Sequence, residues 1–168
     1  MRRMTLLLAV AFLAPCGALA AQRCRSCADE DTVPRGHILP GLGLHVGTPQ
    51  KASIALGVVL GEDWQRNGHD HSRNIAVFAE PGLGAGRASI AYLDHGFGNF
   101  GSGFGLAATV LRTWKEPWTV KTNTTYAGGE LILWPILFTG PRIGLFRNIA
   151  GDATSKRWFV SLDFGIGL

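Results

Sequence analysis

The densest group of chemically capable side chains is His69-Asp70-His71-Ser72. Two imidazoles and a carboxylate are donor types that hold divalent metal ions. A histidine beside a serine is also the raw material of acyl transfer. The spacing works against both chemistries. Neighbours such as His71 and Ser72 would point to opposite faces of a strand, and the cluster sits in a polar stretch, Glu62 to Ser72, that reads as a loop. A solvated polar loop is therefore expected. His69, Asp70 and His71 remain subordinate candidates for a metal, and no metal or other cofactor is assigned.

A second set is dispersed along the chain. His45, Glu80, Glu130 and Asp163 each stand among Gly, Ala and Ser on the small-residue side of an alternating apolar segment, and Arg87 and Arg142 could join them. If that side faces a barrel interior, its charges need partners, so an internal ion-pair network is expected. A catalytic site with His45 as base is the alternative, but no serine in the set has a histidine and an acid at readable spacing, and no catalytic residue is assigned. Gly82-Leu83-Gly84-Ala85-Gly86 is superficially a nucleotide loop, yet it lacks the phosphate-loop lysine and a following helix. It reads as a hairpin turn. His95-Gly96-Phe97-Gly98-Asn99-Phe100-Gly101 reads as a Gly/aromatic loop whose Phe97 and Phe100 could touch lipid headgroups or a partner.

These residues need elements to position them. From about residue 38 onward, apolar residues alternate with small ones, punctuated by Gly or Pro, which is the period of a strand rather than a helix. Strands are predicted at about 38–47, 51–61, 73–81, 86–94, 102–114, 124–138, 142–149 and 158–168. Pro135 implies an edge, bend or bulge in the sixth. The last is the clearest: Trp158, Val160, Leu162, Phe164, Ile166 and Leu168 share one face, and Phe159, Ser161, Asp163, Gly165 and Gly167 the other. About eight strands of this kind suggest a closed up-and-down antiparallel barrel, because closure removes exposed edges.

The N-terminal segment has a different texture. Arg2-Arg3 precedes a short apolar run, Thr5 to Leu13, and small residues Ala18 and Ala20 stand at −3 and −1 of a cut after Ala20. This is the pattern of a cleavable signal peptide over residues 1–20, so export is expected. Residues 21–37 are polar and read as a flexible leader carrying Cys24-Arg25-Ser26-Cys27, a small disulfide loop in an oxidising compartment. The barrel domain then occupies residues 38–168. The formal net charge of +4 includes Arg2 and Arg3 of the signal, and no Lys/Arg cluster interleaves with aromatics, so nucleic acid is not an expected partner.

Period two cannot say which face of a strand meets the interior. Composition bears on it. Only 17% of the chain is charged, and the non-apolar face is mostly Gly, Ala and Ser, whereas a water-facing sheet carries more Lys, Glu, Thr and Gln. Trp64, Trp114, Trp134 and Trp158 fall at strand ends, as interfacial girdles do. With its signal peptide, alternating segments and terminal strand Trp158 to Leu168, the chain resembles small bacterial outer-membrane β-barrel proteins. The resemblance implies a lipid-facing apolar surface and a C-terminal strand read by the barrel-insertion machinery. Leu168 departs from the aromatic residue usual at that end. The predicted loop lengths also depart: the first and third connections are short and the second and fourth longer, the reverse of that class. The expected role is a non-catalytic envelope one, structural, adhesive or interacting, with membrane lipids as partners. A soluble periplasmic or secreted barrel holding a small apolar ligand, and an envelope lipid-modifying enzyme, are the alternatives.

Overall fold

A computed structural model describes residues 33–66, 69–95, 102–135 and 139–167. The strands are β1 Arg35–Gly47, β2 Lys51–Arg66, β3 His69–Pro81, β4 Ala85–His95, β5 Gly103–Thr113, β6 Thr125–Trp134, β7 Thr139–Ala150 and β8 Trp158–Gly167. Each pairs antiparallel with its neighbour in sequence, and the ring closes through Gly43–Gly47 of β1 against Gly167–Asp163 of β8. The chain is thus the all-β, up-and-down barrel that its dyad pattern predicts. The signal segment, Cys24, Cys27, the loop with Phe97 and Phe100, and Leu168 lie outside the described residues.

Three boundaries differ from the sequence reading. β1 begins at Arg35, so the end of the expected leader, including His37, is strand. Pairing with β2 holds it there, and His37 bridges to Asp63 at 3.0 Å. β6 stops at Trp134 and β7 begins at Thr139. Their ladder ends at Ile132 against Arg142, since Pro141 has no N–H to continue it.

The third difference is the largest. Glu62 to Ser72 is not a loop: β2 runs to Arg66, β3 starts at His69, and Trp64 pairs with His71. The predicted loop parity changes with it. At the end of the barrel opposite the termini lie the connections Trp114 to Thr124 and Gly151 to Arg157, both longer than the two residues joining β2 to β3.

Alternation sorts the side chains without exception along the central strands. Leu42, Leu56, Val58, Ile75, Val77, Ile90, Leu106, Val110, Leu145 and Leu162 are exposed on the outside of the ring. No charged side chain interrupts the outward runs between them among the described residues. Inward positions are mostly Gly, Ala, Ser or Thr, with larger apolar and aromatic side chains toward both ends and charges between them. Small residues suit the narrow lumen that eight strands leave.

The barrel's interior is filled in layers. At the end opposite the termini, Leu111, Tyr126, Phe146 and Phe159 form an apolar plug with Ala85. Tyr126 meets Phe159 edge-on at 4.6 Å, and Phe146 stacks on Phe159 at 5.2 Å. The Tyr126 hydroxyl bonds Ser155 Oγ at 2.7 Å, tying the plug to the β7–β8 connection. In that connection Asp152 accepts from both the hydroxyl and the amide of Thr154, which holds its carboxyl below the usual range. Gly151 opens the same turn at φ +108°, and a Cβ there would overlap the Asn123 carbonyl oxygen. Gly151→Ala is expected to cost roughly 1–3 kcal/mol, read as a lower urea midpoint with an unchanged slope.

Candidate functional site

Below the plug lies a buried layer of charge. His45 comes from β1, Glu80 from β3, Arg87 from β4, Glu130 from β6, Arg142 from β7 and Asp163 from β8. The structure therefore brings together all four dispersed interior candidates, His45, Glu80, Glu130 and Asp163, with both arginines. Each is at an inward phase of a different strand, so barrel closure alone makes them neighbours.

Arg87 is at the centre, its side chain fully buried. One terminal nitrogen donates to Glu130, and the other donates to Asp163 Oδ2 at 2.9 Å. Arg142 donates to Glu80 Oε1 at 2.8 Å. Glu80 is only 1% exposed and also accepts from Ser53 Oγ at 2.6 Å. Gln50 donates to the Glu80 carbonyl oxygen at 2.9 Å. Thr109 donates to Glu130 and bonds Ser89 Oγ at 2.8 Å. Ser53, Thr109 and Gln50 were not among the sequence candidates. Ser53 and Thr109 could have been found, because they share the inward phase of their strands with Ala55 and Ala107.

Desolvating ions costs several kcal/mol each, and the cost is recovered only when geometry and hydrogen bonds are good. This layer meets that condition for most of its atoms. The exceptions are the Nε atoms of Arg87 and Arg142, His45 Nδ1, Gln50 Oε1, Asp163 Oδ1 and Ser161 Oγ, which are buried without a hydrogen bond among the described residues.

His45 and Ser53 face each other across the β1–β2 ladder. A serine nucleophile needs its proton taken by the histidine, with the acid behind the histidine. Here the order is different: Ser53 donates to Glu80, and His45 Nδ1 lies 3.5 Å from the same carboxylate oxygen. The acid stands between the two, already engaged by Arg142. His45 is held instead by shape, its ring lying against Gly43 and Gly165. A Cβ at Gly165 would overlap the ring. Gly165→Ala is expected to cost about 1–3 kcal/mol through overpacking. His45→Ala in the same chain should return part of it, so that urea unfolding of the double variant shows less than the sum of the single losses.

Toward the terminal end the interior becomes apolar again, with Val59, Ala76, Ala91, Leu93, Ala107 and Trp134 packed together. Trp134 is not in an outer girdle, as its strand-end position suggested. It is 2% exposed and donates Nε1 to His95 Nδ1 at 3.1 Å. Its phase on β6 is that of Glu130, two dyads away, which is inward. Trp114, Trp118 and Trp158 are exposed at the other end. Trp64 sits at the terminal end under the Arg73 guanidinium, 5.1 Å from its ring centre, and Arg147 lies 5.8 Å over Trp158.

The remaining sequence candidates are on β3. Asp70 accepts from Gln65 at 2.6 Å, and His71 stacks on Trp64 at 5.6 Å. No group of three or more potential metal-binding side chains converges among the described residues. Between Glu80 and Arg142, by contrast, the layer borders a cavity of about 50 Å³ lined by Phe78, Ala91, Leu93, Ala107, Ile132 and Trp134.

Fold and site together define a closed eight-stranded β-barrel with an apolar outside and a charged, side-chain-filled inside. No protein-family model, curated protein or solved structure matches the chain.

Proposed function

We propose that the protein is an exported transmembrane β-barrel of a bacterial outer membrane with a non-catalytic envelope role. The observation that carries this reading is the exposed apolar surface running round the whole ring. Monomeric soluble proteins rarely expose a contiguous apolar patch beyond a few hundred Å², whereas lipid-facing barrels require such a belt. On β2 the outward run from Ala52 to Leu60, at ~3.3 Å per residue and a tilt of about 40°, spans roughly 20 Å along the membrane normal, against about 25 Å for such belts.

The flanking residues fit the same reading. Exposed Trp114, Trp118 and Trp158 mark one interface, and Trp64 with Tyr92 the other. Arg112 and Arg147 lie toward the same end of β5 and β7, Arg147 followed outward by Ile149, where long cationic side chains snorkel. The signal-like segment Met1 to Ala20 supports export, and the apolar alternation of Trp158 to Gly167 supports reading by insertion machinery. The layered interior favours a structural or interacting role over conduction, since the plug and the charged layer fill the lumen at two levels.

Fractionation of cells expressing the protein tests this. It is expected in the outer-membrane fraction, resistant to extraction by high salt, with faster gel migration before boiling than after. A folded monomer in detergent-free buffer would overturn the reading and favour a soluble barrel.

A further inference from the structure

We propose, on the transmembrane reading above, that the rim of the barrel opposite the termini is a docking surface for anionic, phosphate-bearing lipid headgroups. The two rims differ in charge among the described residues. Opposite the termini, the start of β2 and the two long connections carry Lys51, Lys115, Lys121, Lys156 and Arg157. Arg112 and Arg147 add two more cations on the outward faces of β5 and β7. Against these seven stand two carboxylates, Glu116 and Asp152. The strand ends at the other rim carry Arg35, Arg66 and Arg73 against Glu62, Asp63, Asp70 and Asp94. No histidine enters the first count, so the cationic excess does not depend on an imidazole's protonation.

Most of this charge is unspent. Lys51 lies 3.8 Å from Glu116, and Lys121 lies 3.9 Å from Asp152. These contacts occupy both carboxylates. Arg112, Lys115, Arg147, Lys156 and Arg157 are exposed and have no carboxylate partner among the described residues. The two connections are tied together where Lys121 N donates to Ser155 Oγ at 3.4 Å, which gathers their cations on one sector of the rim. Below them, Arg112 donates to Thr125 Oγ1 at 2.8 Å, a neutral partner that leaves its charge uncompensated. Arg147 is opposite Ala127 on the other edge of β6, and its guanidinium lies over Trp158. The two arginines thus flank β6 on the outside of the barrel, two strand spacings or about 10 Å apart across the sheet. Only Thr125 and Ala127 stand between them. Guanidinium forks match phosphate oxygens bidentately, and lysines add point charge around them. Exposed Trp114, Trp118 and Trp158 mark the interface at this rim, so the cations meet headgroups and the lipid's acyl chains meet the apolar belt.

The test folds the protein into vesicles holding phosphatidylcholine, phosphatidylglycerol and oleate at equal mole fractions. The protein is then taken into mild detergent, and its retained lipids are counted by native mass spectrometry. Gel migration before boiling reports a folded barrel. Phosphatidylglycerol is expected to be retained about fivefold or more over the other two. Arg112→Gln with Arg147→Gln should bring it down to the level of phosphatidylcholine. Lys156→Gln with Arg157→Gln, in an exposed connection, should lower it too, and takes the place of the arginine pair if that variant does not fold. Arg35→Gln with Arg73→Gln removes the same charge at the opposite rim and should leave retention unchanged. Excess glycerophosphoglycerol, the headgroup without its acyl chains, should not displace the lipid. Equal retention of all three lipids, oleate matching phosphatidylglycerol, displacement by the free headgroup, or equal losses from the two rims would overturn the proposal and leave the transmembrane reading standing. A chain that does not fold into vesicles at all would overturn that reading and the proposal with it.

Discussion

Leu162→Arg is expected to destabilise the protein folded in a bilayer by about 2–4 kcal/mol, the cost of a cationic side chain near the midplane of a lipid-facing barrel. Leu162 lies midway along β8, opposite Ile143, and is 58% exposed. Its neighbours on the same face, Val160 and Phe164, are equally apolar and exposed. The same substitution at Ile166, close to the end of β8, should cost only about 0–1 kcal/mol, because an arginine there reaches the headgroups. Urea titration in vesicles, followed by tryptophan fluorescence, reads both values. The size of the loss and its dependence on depth separate the two environments. On a water-exposed surface, replacing an exposed leucine changes stability by about 0.5 kcal/mol or less. Two variants with the same small loss would therefore sink the lipid-facing reading, while a graded loss with depth would support it.

The dyad alternation made most of this architecture legible. It separated Ile54, Leu56, Val58 and Leu60 from Ser53, Ala55 and Gly57, and placed His45, Glu80, Glu130 and Asp163 on the small-residue side of their strands. It could not say which side was inward, because a sheet turned over has the same period. Closure of the ring decides that: the narrow interior of eight strands takes mostly glycine, alanine and serine with a few large side chains such as Leu93, Leu111 and Phe146, so the aliphatic face of each strand is the outer one.

The β2–β3 extension was illegible for a different reason. Beyond Leu60 and Ile75 the hairpin is held by cross-strand pairs, Trp64 on His71 and Gln65 on Asp70. Such pairs stabilise a ladder without apolar alternation, so a search for buried faces does not see them. Trp134 was misread through position: a tryptophan at a strand end suits a girdle, but phase outranks position, and Trp134 shares the phase of Glu130. Gln50, Ser53 and Thr109 were not read as part of the site, and for the two arginines that were named with it the pairing itself was not legible. Arg87 and Arg142 are ordinary inward residues in sequence, and only the barrel's register brings Arg87 between Glu130 and Asp163, which lie 43 and 76 residues away along the chain.

Arg87→Met should be the most damaging single change inside the barrel, at about 3–5 kcal/mol, the loss expected when one partner of a buried ion pair is removed. Methionine keeps most of the volume, so the loss measures charge rather than a void. Arg87 serves Glu130 and Asp163 by hydrogen bonds and Glu80 at 3.7 Å, all within a layer closed to water by the aromatic plug. Its removal leaves Arg142 as the one guanidinium beside three carboxylates. The loss should be recoverable from the other side of the pair. Glu130→Gln in the Arg87→Met chain removes one uncompensated charge while keeping an acceptor for Thr109. The double variant is therefore expected to be more stable than Arg87→Met alone, with a coupling of about 0.5–3 kcal/mol in a double-mutant cycle. Additive losses would mean that the layer does not act through charge balance. The outward belt is untouched by either change, so both variants should still reach the membrane fraction, which separates a failure of the core from a failure of insertion.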